Sequence, residues 1–258
     1  MPEATLHEVA VAVVDRLGPE AIIVASTGAG ISKASGISTF RGSEGLWSTY
    51  RSEDVCTHDV LTRDPAMFWR FHDHLRAMIV NAVPNPAHMV LAEMEEVLGE
   101  SAEFAVITQN IDRLHQRAGS RHVIELHGDA LEYECMRCGH EPEDIPVPTP
   151  EYPPRCEKCG AVVRPKVVLF GESLPSEALD EARDLCSEAD VMFVIGTSVV
   201  VEPAASLPFL ALAAGALVVE INPSKTPLTG AAQYSVQSSS SSALPALWEQ
   251  MQEALRES

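Results

Sequence analysis

The sequence predicts an α/β protein built on a doubly wound parallel sheet, with a smaller domain formed by insertions. Three observations support this fold class. Short apolar runs alternate with helical stretches, a glycine-rich turn follows the first run, and two CxxC pairs interrupt the alternation. Ligands of such sheets bind beyond the carboxyl ends of the strands, so we expect the functional residues to follow the apolar runs.

The first forty residues are typical of a helix, a strand, a glycine turn and a second helix. Apolar residues recur at helical spacing between Thr5 and Leu17, and Glu8 stands three residues after Thr5, as in a capping box. The continuous apolar run 21–25 predicts a strand that is buried on both faces of a parallel sheet. The turn Gly28-Ala29-Gly30 comes after this strand.

The same alternation continues along the chain. Runs 104–107, 191–195 and 216–221 predict further strands, and helical stretches over 87–98 and 176–187 separate them. A regular succession of strand and helix favours parallel pairing of the strands, because parallel neighbours need a long crossover connection.

Five consecutive serines, 238–242, follow the last predicted strand. Their composition predicts a flexible linker. The apolar spacing over 244–255 then predicts a closing helix.

Two stretches interrupt the alternation of strands and helices. Residues 36–85 predict a loop followed by helices, and residues 131–166 hold four of the six cysteines in a proline-rich, acidic loop. The remaining segments, 1–35, 86–130 and 167–258, form the predicted sheet domain. The two insertions are expected to form a smaller domain beside it.

The second insertion contains two CxxC pairs, Cys135 with Cys138 and Cys156 with Cys159, separated by seventeen residues. Each pair directs two thiolates to one side, and four thiolates complete a tetrahedral shell around Zn²⁺ with no open position. We therefore predict a zinc ribbon whose metal is structural. The alternative is a pair of disulfides, which the cytoplasm disfavours.

The chain carries 37 acidic and 18 basic residues, a formal net charge of −19. Such a charge repels the phosphates of nucleic acids and anionic membranes. No apolar stretch approaches the roughly 20 residues that span a bilayer. We therefore expect no direct nucleic-acid binding and no membrane binding. The acidic N-terminus lacks the residue order of a secretory signal, so we expect a cytoplasmic protein.

Only four of the basic residues are lysines. Scarce lysine with excess carboxylate is typical of halophile-like proteins in concentrated salt, where the Debye length shrinks to about 3 Å and self-repulsion fades. An ordinary acidic cytosolic protein fits the composition equally well, so both interpretations stay open.

The glycine turn begins a series of motifs that follow one another in order through the chain. Together they resemble the sirtuins, which are NAD-dependent protein deacylases, and the resemblance covers residues 20–250. Besides the two CxxC pairs, the matching blocks are Gly28-Ala29-Gly30-Ile31-Ser32, Ser35-Gly36-Ile37, Thr39-Phe40-Arg41-Gly42, Gly45-Leu46-Trp47, Thr108-Gln109-Asn110-Ile111-Asp112-Arg113-Leu114-His115, Glu125-Leu126-His127-Gly128, the segment 164–172, Gly196-Thr197-Ser198 and Ile221-Asn222-Pro223-Ser224.

The resemblance implies a Rossmann-like sheet, NAD as the cofactor and a structural Zn²⁺. It also implies which residues contact NAD. These are Gly28, Ala29, Gly30, Ile31, Ser35, Thr39, Phe40, Arg41, Trp47, Gln109, Asn110, Ile111, Asp112, His127, Gly196, Thr197, Ser198, Asn222, Pro223, Ser224 and Ser240.

His127 and Asn110 are the catalytic residues that the resemblance implies. The family's reaction needs a base to deprotonate a ribose hydroxyl of NAD, and imidazole, with an unperturbed pKa of about 6.5, suits that step. Asp112 is expected to accept a hydrogen bond from the nicotinamide carboxamide. The implied products are the deacylated lysine, nicotinamide and O-acyl-ADP-ribose. Without the surrounding motif, His127 would be interpreted as a core histidine.

The implied substrates are acyl-lysine side chains in proteins or peptides, bound as an extended chain between two outer segments. Main-chain hydrogen bonds would then give affinity with little sequence demand. The implied substrate contacts are His72, Leu75, Val168, Phe170, Gly171, Glu172, Val200 and Glu202.

One helix departs from a branch of the family. Sirtuins that prefer succinyl- or malonyl-lysine carry Tyr and Arg three residues apart there, whereas this chain has His72 and Leu75. Leucine cannot bind a carboxylate and Asp73 adds repulsion, so we expect neutral acyl groups to be preferred. Arg76 is one residue late, but its long side chain could still reach the pocket. Glu202 replaces a frequent Tyr beside the peptide groove. It would favour basic flanking residues, or it is one more acidic surface substitution, and both interpretations stay open.

Two other functions remain open on the sequence. A mono-ADP-ribosyltransferase of the same family would cleave the same cofactor with a different nucleophile. A non-catalytic NAD sensor would use its zinc ribbon to bind a partner protein. The set Gln109, Asn110, Asp112 and His127 argues against the sensor, because a binding protein needs no base.

Overall fold

The computed structural model describes residues 5–39, 51–99 and 102–257, without the side chains of residues 52 and 53. Three predicted cofactor contacts, Phe40, Arg41 and Trp47, lie outside these described residues.

Helices and strands alternate through most of the described chain. The helices are α1 (Leu6–Val14), α2 (Ala29–Ser32), α3 (Ser52–Val55), α4 (His58–Arg63), α5 (Pro65–Asn81), α6 (Pro86–Leu98), α7 (Leu114–Ala118), α8 (Ser176–Glu188), α9 (Leu207–Ala214) and α10 (Ser240–Glu257). The strands are β1 (Ala21–Thr27), β2 (Ala102–Thr108), β3 (Val123–Glu125), β4 (Gly128–Cys135), β5 (Val163–Val167), β6 (Val191–Ile195), β7 (Leu217–Ile221) and β8 (Tyr234–Val236).

Six of the strands form one parallel sheet in the order β3-β2-β1-β6-β7-β8. Numbered within the sheet, this is the order 3-2-1-4-5-6 of doubly wound dinucleotide-binding folds. The order reverses between β1 and β6, where Thr27 is in register with Ile195 at the carboxyl ends. The predicted fold class is therefore confirmed.

Helices cover both faces of the sheet, because successive side chains of a strand point to opposite sides. On one face, Ile23 packs in a cluster with Leu91 of α6 and Leu247 of α10. On the other face, Val24 packs with Ala182 of α8 and Ala211 of α9. All six are less than 1% exposed, which explains why the strands are continuous apolar runs.

The predicted first helix has the expected capping box, in which the Thr5 hydroxyl accepts from the Glu8 amide and the Glu8 carboxylate accepts from the Thr5 amide. The predicted linker at the serine run is wrong in part. Helix α10 begins at Ser240, and the Ser239 carbonyl accepts from the Ala243 amide at 2.9 Å. Serine is a preferred residue at a helix N-terminus, so part of the run starts the helix.

A smaller assembly lies beside the sheet. Strands β4 and β5 pair antiparallel, and α4 and α5 pack against them in a separate apolar cluster. Within this cluster the Trp69 indole donates a hydrogen bond to the Val163 carbonyl at 2.8 Å. Arg76 is fully buried and donates to Asp73 at 2.7 Å, Thr149 at 2.8 Å and the Tyr133 hydroxyl at 3.0 Å.

Among the described residues, no helix is both long and apolar enough to cross a membrane.

Candidate active site

One large cleft opens at the carboxyl ends of the central strands, with a volume of about 980 Å³. Gly28 follows β1, Gln109 follows β2, Gly196 follows β6 and Asn222 follows β7, and all four line the cleft. Parallel strands bring their carboxyl ends to one edge of the sheet, which is why residues far apart in sequence meet here.

Two glycine segments contact each other at the centre of the cleft. The Gly30 amide donates to the Gly196 carbonyl at 2.8 Å. A Cβ atom on Gly30 would lie 2.6 Å from that carbonyl oxygen, and one on Gly196, whose φ is +62°, would lie 2.5 Å from the Ile31 nitrogen. Only glycine fits either position, and the bare backbone lets a large polar ligand approach closely, as a dinucleotide pyrophosphate does.

His127 stands between β3 and β4 on the wall of this cleft. Its Nδ1 atom lies 2.9 Å from the Gln109 carbonyl oxygen, and its own carbonyl accepts from the Val168 amide at 2.9 Å. Burial lowers the pKa of His127, and the hydrogen bond to Gln109 partly opposes this. The imidazole is therefore held in place and favours its neutral form.

A buried polar cluster lies beneath the glycine segments. The Ser32 hydroxyl donates to Asp112 at 2.6 Å, and the Asn110 amide group donates to the Ser32 oxygen and to the Gly28 carbonyl, both at 3.2 Å. The Leu114 amide donates to the other Asp112 oxygen at 3.0 Å. Burial raises the pKa of Asp112, while the hydrogen bonds from Ser32 and Leu114 lower it. Asn110 and Asp112 thus share one polar environment.

Asp112 lines a small adjoining cavity of about 20 Å³ instead of the main cleft. Asn110 lines both cavities. His88 and His115 were not among the predicted site residues, and their rings pack edge to face at 4.9 Å beside this cluster. The His115 Nε2 atom lies 2.9 Å from the Thr27 hydroxyl oxygen. The sequence shows His88 and His115 only as isolated histidines in helices. Such a histidine gives no signal that separates a place in a polar cluster from ordinary packing in the core.

The far end of the cleft is built on β6 and β7. The Gln109 side chain donates to the Thr197 hydroxyl at 3.1 Å, and the Asn222 side chain donates to the Thr197 carbonyl at 2.6 Å. The Ser224 amide donates to the Asn222 side chain at 3.3 Å. These bonds fix the turns that follow three strands relative to one another.

Most predicted site residues with described positions lie on the main cleft. Besides those named above, the lining includes Ala29, Thr39, Ile111, Ser198, Pro223 and Ser240, and all eight predicted substrate contacts, His72, Leu75, Val168, Phe170, Gly171, Glu172, Val200 and Glu202.

Three predicted cofactor contacts have other surroundings. Ile31 is fully buried in the core beneath the sheet face. Ser35 accepts a hydrogen bond from the Asn85 side chain at 2.9 Å. Asp112 is separated from the main cleft, as described above.

Further residues line the cleft without having been predicted. Most are neighbours of predicted residues, which is the signal that could have found them. They are Lys33, Ala34, Cys56, Val167, Leu169, Leu174, Val201, Lys225, Thr226, Pro227, Ser239 and Ser241. Lys33 and Lys225 are two of only four lysines in this acidic chain. The scarcity of lysine is visible in the sequence and was a signal that could have drawn attention to them.

The side chains of Asp73 and Arg76 do not lie where the sequence led us to expect. Asp73 was expected to repel a carboxylate in the acyl pocket, but its oxygens accept hydrogen bonds from Arg76, Thr149 and Tyr152. Arg76 was considered able to reach the pocket, but it lies fully buried among these residues and does not line the cleft. Both side chains therefore serve the smaller assembly, because the helix turns them away from the cleft.

The four predicted metal ligands meet at one point. The sulfur atoms of Cys135, Cys138, Cys156 and Cys159 all lie within 4.8 Å of one another. The sulfur atoms of Cys135 and Cys159 are 3.4 Å apart and those of Cys138 and Cys156 are 3.7 Å apart, both longer than the roughly 2.05 Å of a disulfide. Four sulfurs placed tetrahedrally about 2.3 Å from a zinc ion are about 3.8 Å from one another, and the observed distances are close to this value. The cluster therefore fits a structural Zn²⁺ and disfavours the disulfide alternative.

The strand order, the cleft at its reversal point and the glycine contact define a dinucleotide-binding α/β protein. The chain also matches the Sir2 family over residues 28–203. It is 48% identical over 231 residues to an NAD-dependent protein deacylase of Aquifex aeolicus (strain VF5), covering 90% of this chain and 95% of the relative.

Solved structures give the same result. A Sir2 homologue in complex with NAD superposes with a TM-score of 0.88 at 40% identity, covering 98% of this chain and 96% of that chain. A Sir2 protein bound to a propionylated peptide superposes with a TM-score of 0.80 at 39% identity, covering 92% and 96% of the two chains. The chain belongs to the Sir2 family, as the sequence motifs predicted.

Proposed function

We propose that this protein is an NAD-dependent protein-lysine deacylase, which converts an acyl-lysine, NAD and water into the deacylated lysine, nicotinamide and O-acyl-ADP-ribose. The observation that carries this proposal is the position of His127. Its ring is fixed by Gln109, and its backbone is bonded to Val168, the first residue of the predicted substrate segment. A base with these two neighbours stands between the cofactor side and the substrate side of one cleft.

The hydrogen bond to Gln109 determines which nitrogen of His127 acts. A carbonyl oxygen only accepts, so Nδ1 carries the proton and Nε2 keeps its lone pair. When bound, NAD would supply a ribose carbon for the acyl-lysine amide oxygen to attack, with nicotinamide as the leaving group, and the ribose hydroxyls. Nε2 of His127 is the atom that we propose accepts the hydroxyl proton. Burial favours the neutral ring, so the base is ready at neutral pH.

Asn110 and Asp112 are proposed to hold the nicotinamide end. Each Asp112 oxygen accepts one hydrogen bond within the protein, and a carboxylate oxygen can accept a second. The bonds from Asn110 to Gly28 and Ser32 orient its side chain without occupying its oxygen. These polar atoms suit a neutral carboxamide, which both donates and accepts.

The remaining predicted contacts are proposed to bind the phosphates and the adenosine. The bare backbone at Gly30 and Gly196 fits the pyrophosphate, and the linked turns at Thr197 and Asn222 fit the adenosine ribose. Phe40, Arg41 and Trp47 are proposed to contact NAD, as the family resemblance implies. The four clustered cysteines are proposed to hold zinc as a structural ion.

Neutral acyl groups are the proposed substrates. His72, Leu75 and Cys56 line one end of the cleft, and all are buried. Burial, reinforced by the charges of Arg164 and Arg76, lowers the pKa of His72 to about 3, and burial raises that of the Cys56 thiol to about 12. These three side chains are therefore uncharged at neutral pH and offer no cation to a succinyl carboxylate. The relative bound to a propionylated peptide supports this preference.

The flanking sequence of the substrate is proposed to be basic. Glu202 lines the cleft, is exposed and accepts a hydrogen bond from the Ser206 hydroxyl at 2.6 Å. Its charge remains available to a lysine or arginine beside the acyl-lysine. The net charge of −19 favours such substrates and disfavours direct nucleic-acid binding.

The compartment and the salt response are also proposals. Six unpaired cysteines, four of them clustered, support a reducing compartment such as the cytoplasm. The acidic surface supports adaptation to concentrated salt, in which case the unfolding temperature should rise steeply with KCl. Indifference to KCl would instead support an ordinary acidic protein.

The deciding experiment combines the protein with NAD and an acetyl-lysine peptide. Nicotinamide release should depend on the acetyl group, and the peptide mass should fall by one acetyl group. A gain of ADP-ribose on the peptide would instead support mono-ADP-ribosyl transfer. The His127→Ala variant should bind NAD but show no sustained nicotinamide release, because turnover stops when the ribose hydroxyl keeps its proton. Equal release by this variant would contradict the role of His127. No release by the wild type would contradict the proposal and leave NAD sensing as the alternative.

A further inference from the structure

The substrate segment 168–172 carries the residues proposed to bind the peptide, and it forms no part of the main sheet. Its backbone is held at two points by other elements. The Val168 amide donates to the His127 carbonyl at 2.9 Å, and the Phe170 amide donates to the Cys56 carbonyl at 3.0 Å.

The amide of Leu169, between these two points, is bonded to a side chain. It donates to the Glu172 carboxylate at 3.0 Å, while the Glu172 amide donates back to the Leu169 carbonyl at 2.9 Å. Gly171, with φ of +90°, makes this tight turn possible. The side chain and the backbone of Glu172 therefore stabilise a turn within the segment 168–172.

The same carboxylate binds two other elements. Arg164 of β5 donates to both Glu172 oxygens, at 2.7 and 2.8 Å, in a bidentate pair. His58, at the start of α4, lies 3.2 Å from one oxygen. Desolvation raises the pKa of Glu172, but the bonds from Arg164 and Leu169 outweigh it and lower the pKa to about 2. The carboxylate is thus charged throughout the working range of pH.

We propose that Glu172 is a positioning residue for peptide binding, which fixes the segment 168–171 through Arg164 and Leu169, instead of a residue that contacts the substrate. This inference rests on the proposed deacylase function. Both carboxylate oxygens of Glu172 are already occupied within the protein. One accepts hydrogen bonds from Arg164 and His58, and the other accepts from Arg164 and Leu169. A carboxylate oxygen accepts about two hydrogen bonds, so none remains for a peptide.

Glu172→Gln is the sharpest variant. The amide has the same shape but one oxygen, so either Leu169 or Arg164 loses its acceptor. The segment then loses a fixed geometry that the bound peptide needs. We expect the KM for an acetyl-lysine peptide to rise about tenfold, the change that accompanies loss of one hydrogen bond to a charged group. The KM for NAD should stay within about twofold, because the cofactor turns follow other strands.

The matched control is Glu134→Gln. Glu134 lies on β4, 3.8 Å from the same Arg164 guanidinium, but its side chain is 44% exposed and does not line the cleft. It should leave both KM values unchanged. In a double-mutant cycle, Arg164→Gln combined with Glu172→Gln should raise the peptide KM no more than the worse single variant, because both act through one pair.

Peptides with basic and with neutral flanking residues separate positioning from direct contact. A positioning residue gives the same ratio of KM values, variant to wild type, for both peptides. An effect of Glu172→Gln that disappears with neutral flanks would overturn the inference, since it would indicate direct recognition of charge. An unchanged peptide KM, or equal rises in both KM values together with a lower unfolding temperature, would overturn it as well.

Binding of a fluorescent acetyl-lysine peptide keeps this inference distinct from the proposed function. If the wild type binds the peptide but releases no nicotinamide, the deacylase proposal fails, and the Kd ratio of Glu172→Gln to wild type still decides the role of Glu172. If the wild type releases nicotinamide and the variant binds the peptide equally well, only the inference fails. A wild type that neither binds nor reacts would overturn both.

Discussion

The Nδ1 atom of His127 donates a hydrogen bond to the Gln109 carbonyl oxygen over 2.9 Å. This bond joins two motifs from neighbouring loops at the strand ends and fixes the imidazole tautomer. Burial of the same ring lowers its pKa. The position, the tautomer and the protonation state of the proposed base thus have a common structural origin.

The pH dependence of the reaction should reflect this environment. A base acts when neutral, so kcat/KM should be constant above the pKa of His127 and fall as the pH drops through it. Because burial lowers that pKa, the acid limb should lie below the ordinary value of about 6.5. A pH profile of nicotinamide release measures this. An acid limb at pH 7 or above would contradict the assignment.

Stability should also depend on pH, through three buried histidines. Burial lowers the pKa of His72 and His115 to about 3 and that of His88 to about 4. The unfolded chain takes up protons below about pH 6.5, whereas the folded protein does so only at these lower values. The unfolded state therefore binds more protons within this window, and the free energy of unfolding should fall as the pH drops from 6.5 towards 4.

Urea unfolding at several pH values measures this slope, which is at most about 1.4 kcal/mol per pH unit for each histidine. His72→Phe is an informative variant, because the His72 ring already stacks on Phe68 at 4.1 Å. The variant should show a shallower slope. The same slope in both proteins would contradict the role of His72.

Zinc removal should unfold the smaller assembly. Cys135 and Cys156 pack in the same cluster as Trp69 and Tyr133. Zinc binding contributes about 10–16 kcal/mol in zinc-finger peptides, comparable to the whole stability of a domain. A chelator, or Cys135→Ser, should lower the unfolding temperature and change the Trp69 fluorescence.

Metal analysis should find one zinc per chain. Cys186→Ala is the matched control, because Cys186 is buried in a different cluster on α8. This variant should retain the metal. A chelated protein with an unchanged unfolding temperature would contradict the structural role of zinc.

The acyl preference is tested with matched peptides. The uncharged pocket end at His72 and Leu75 should give a higher kcat/KM for acetyl-lysine than for succinyl-lysine. Leu75→Arg places a cation there and should raise the relative rate on succinyl-lysine. A wild-type preference for succinyl-lysine would show that the assigned roles of these two residues are wrong.

The glycine contact predicts a specific defect in cofactor binding. In Gly196→Ala, the new Cβ would lie 2.5 Å from the Ile31 nitrogen, in addition to the strain of a positive φ. The KM for NAD should rise at least about tenfold, since moving the backbone by even 1 Å has large effects in an active site. Gly215→Ala is the control, because its φ is +98° but no atom lies within 4 Å of the new Cβ. Equal NAD binding by both variants would contradict the proposed role of the contact.

The sequence by itself determined the fold class, the family and the zinc ligands. Apolar runs such as 21–25 specify buried strands because local hydrophobicity and length suffice for that conclusion. The cysteine spacing specifies the metal cluster because each CxxC pair is a local chelating unit. The charge of −19 and the order of the motifs are likewise properties of the chain alone.

Only the tertiary structure decided how distant side chains pair. Ser32 and Asp112 are 80 residues apart, and they meet because β1 and β2 are neighbours in the sheet. The direction of Arg76 away from the cleft depends on partners in another segment, and no local pattern encodes it. The engagement of Glu172 by Arg164 and His58 has the same cause: hydrogen-bond partners are chosen by the folded arrangement of β5 and α4, which sequence spacing leaves undetermined.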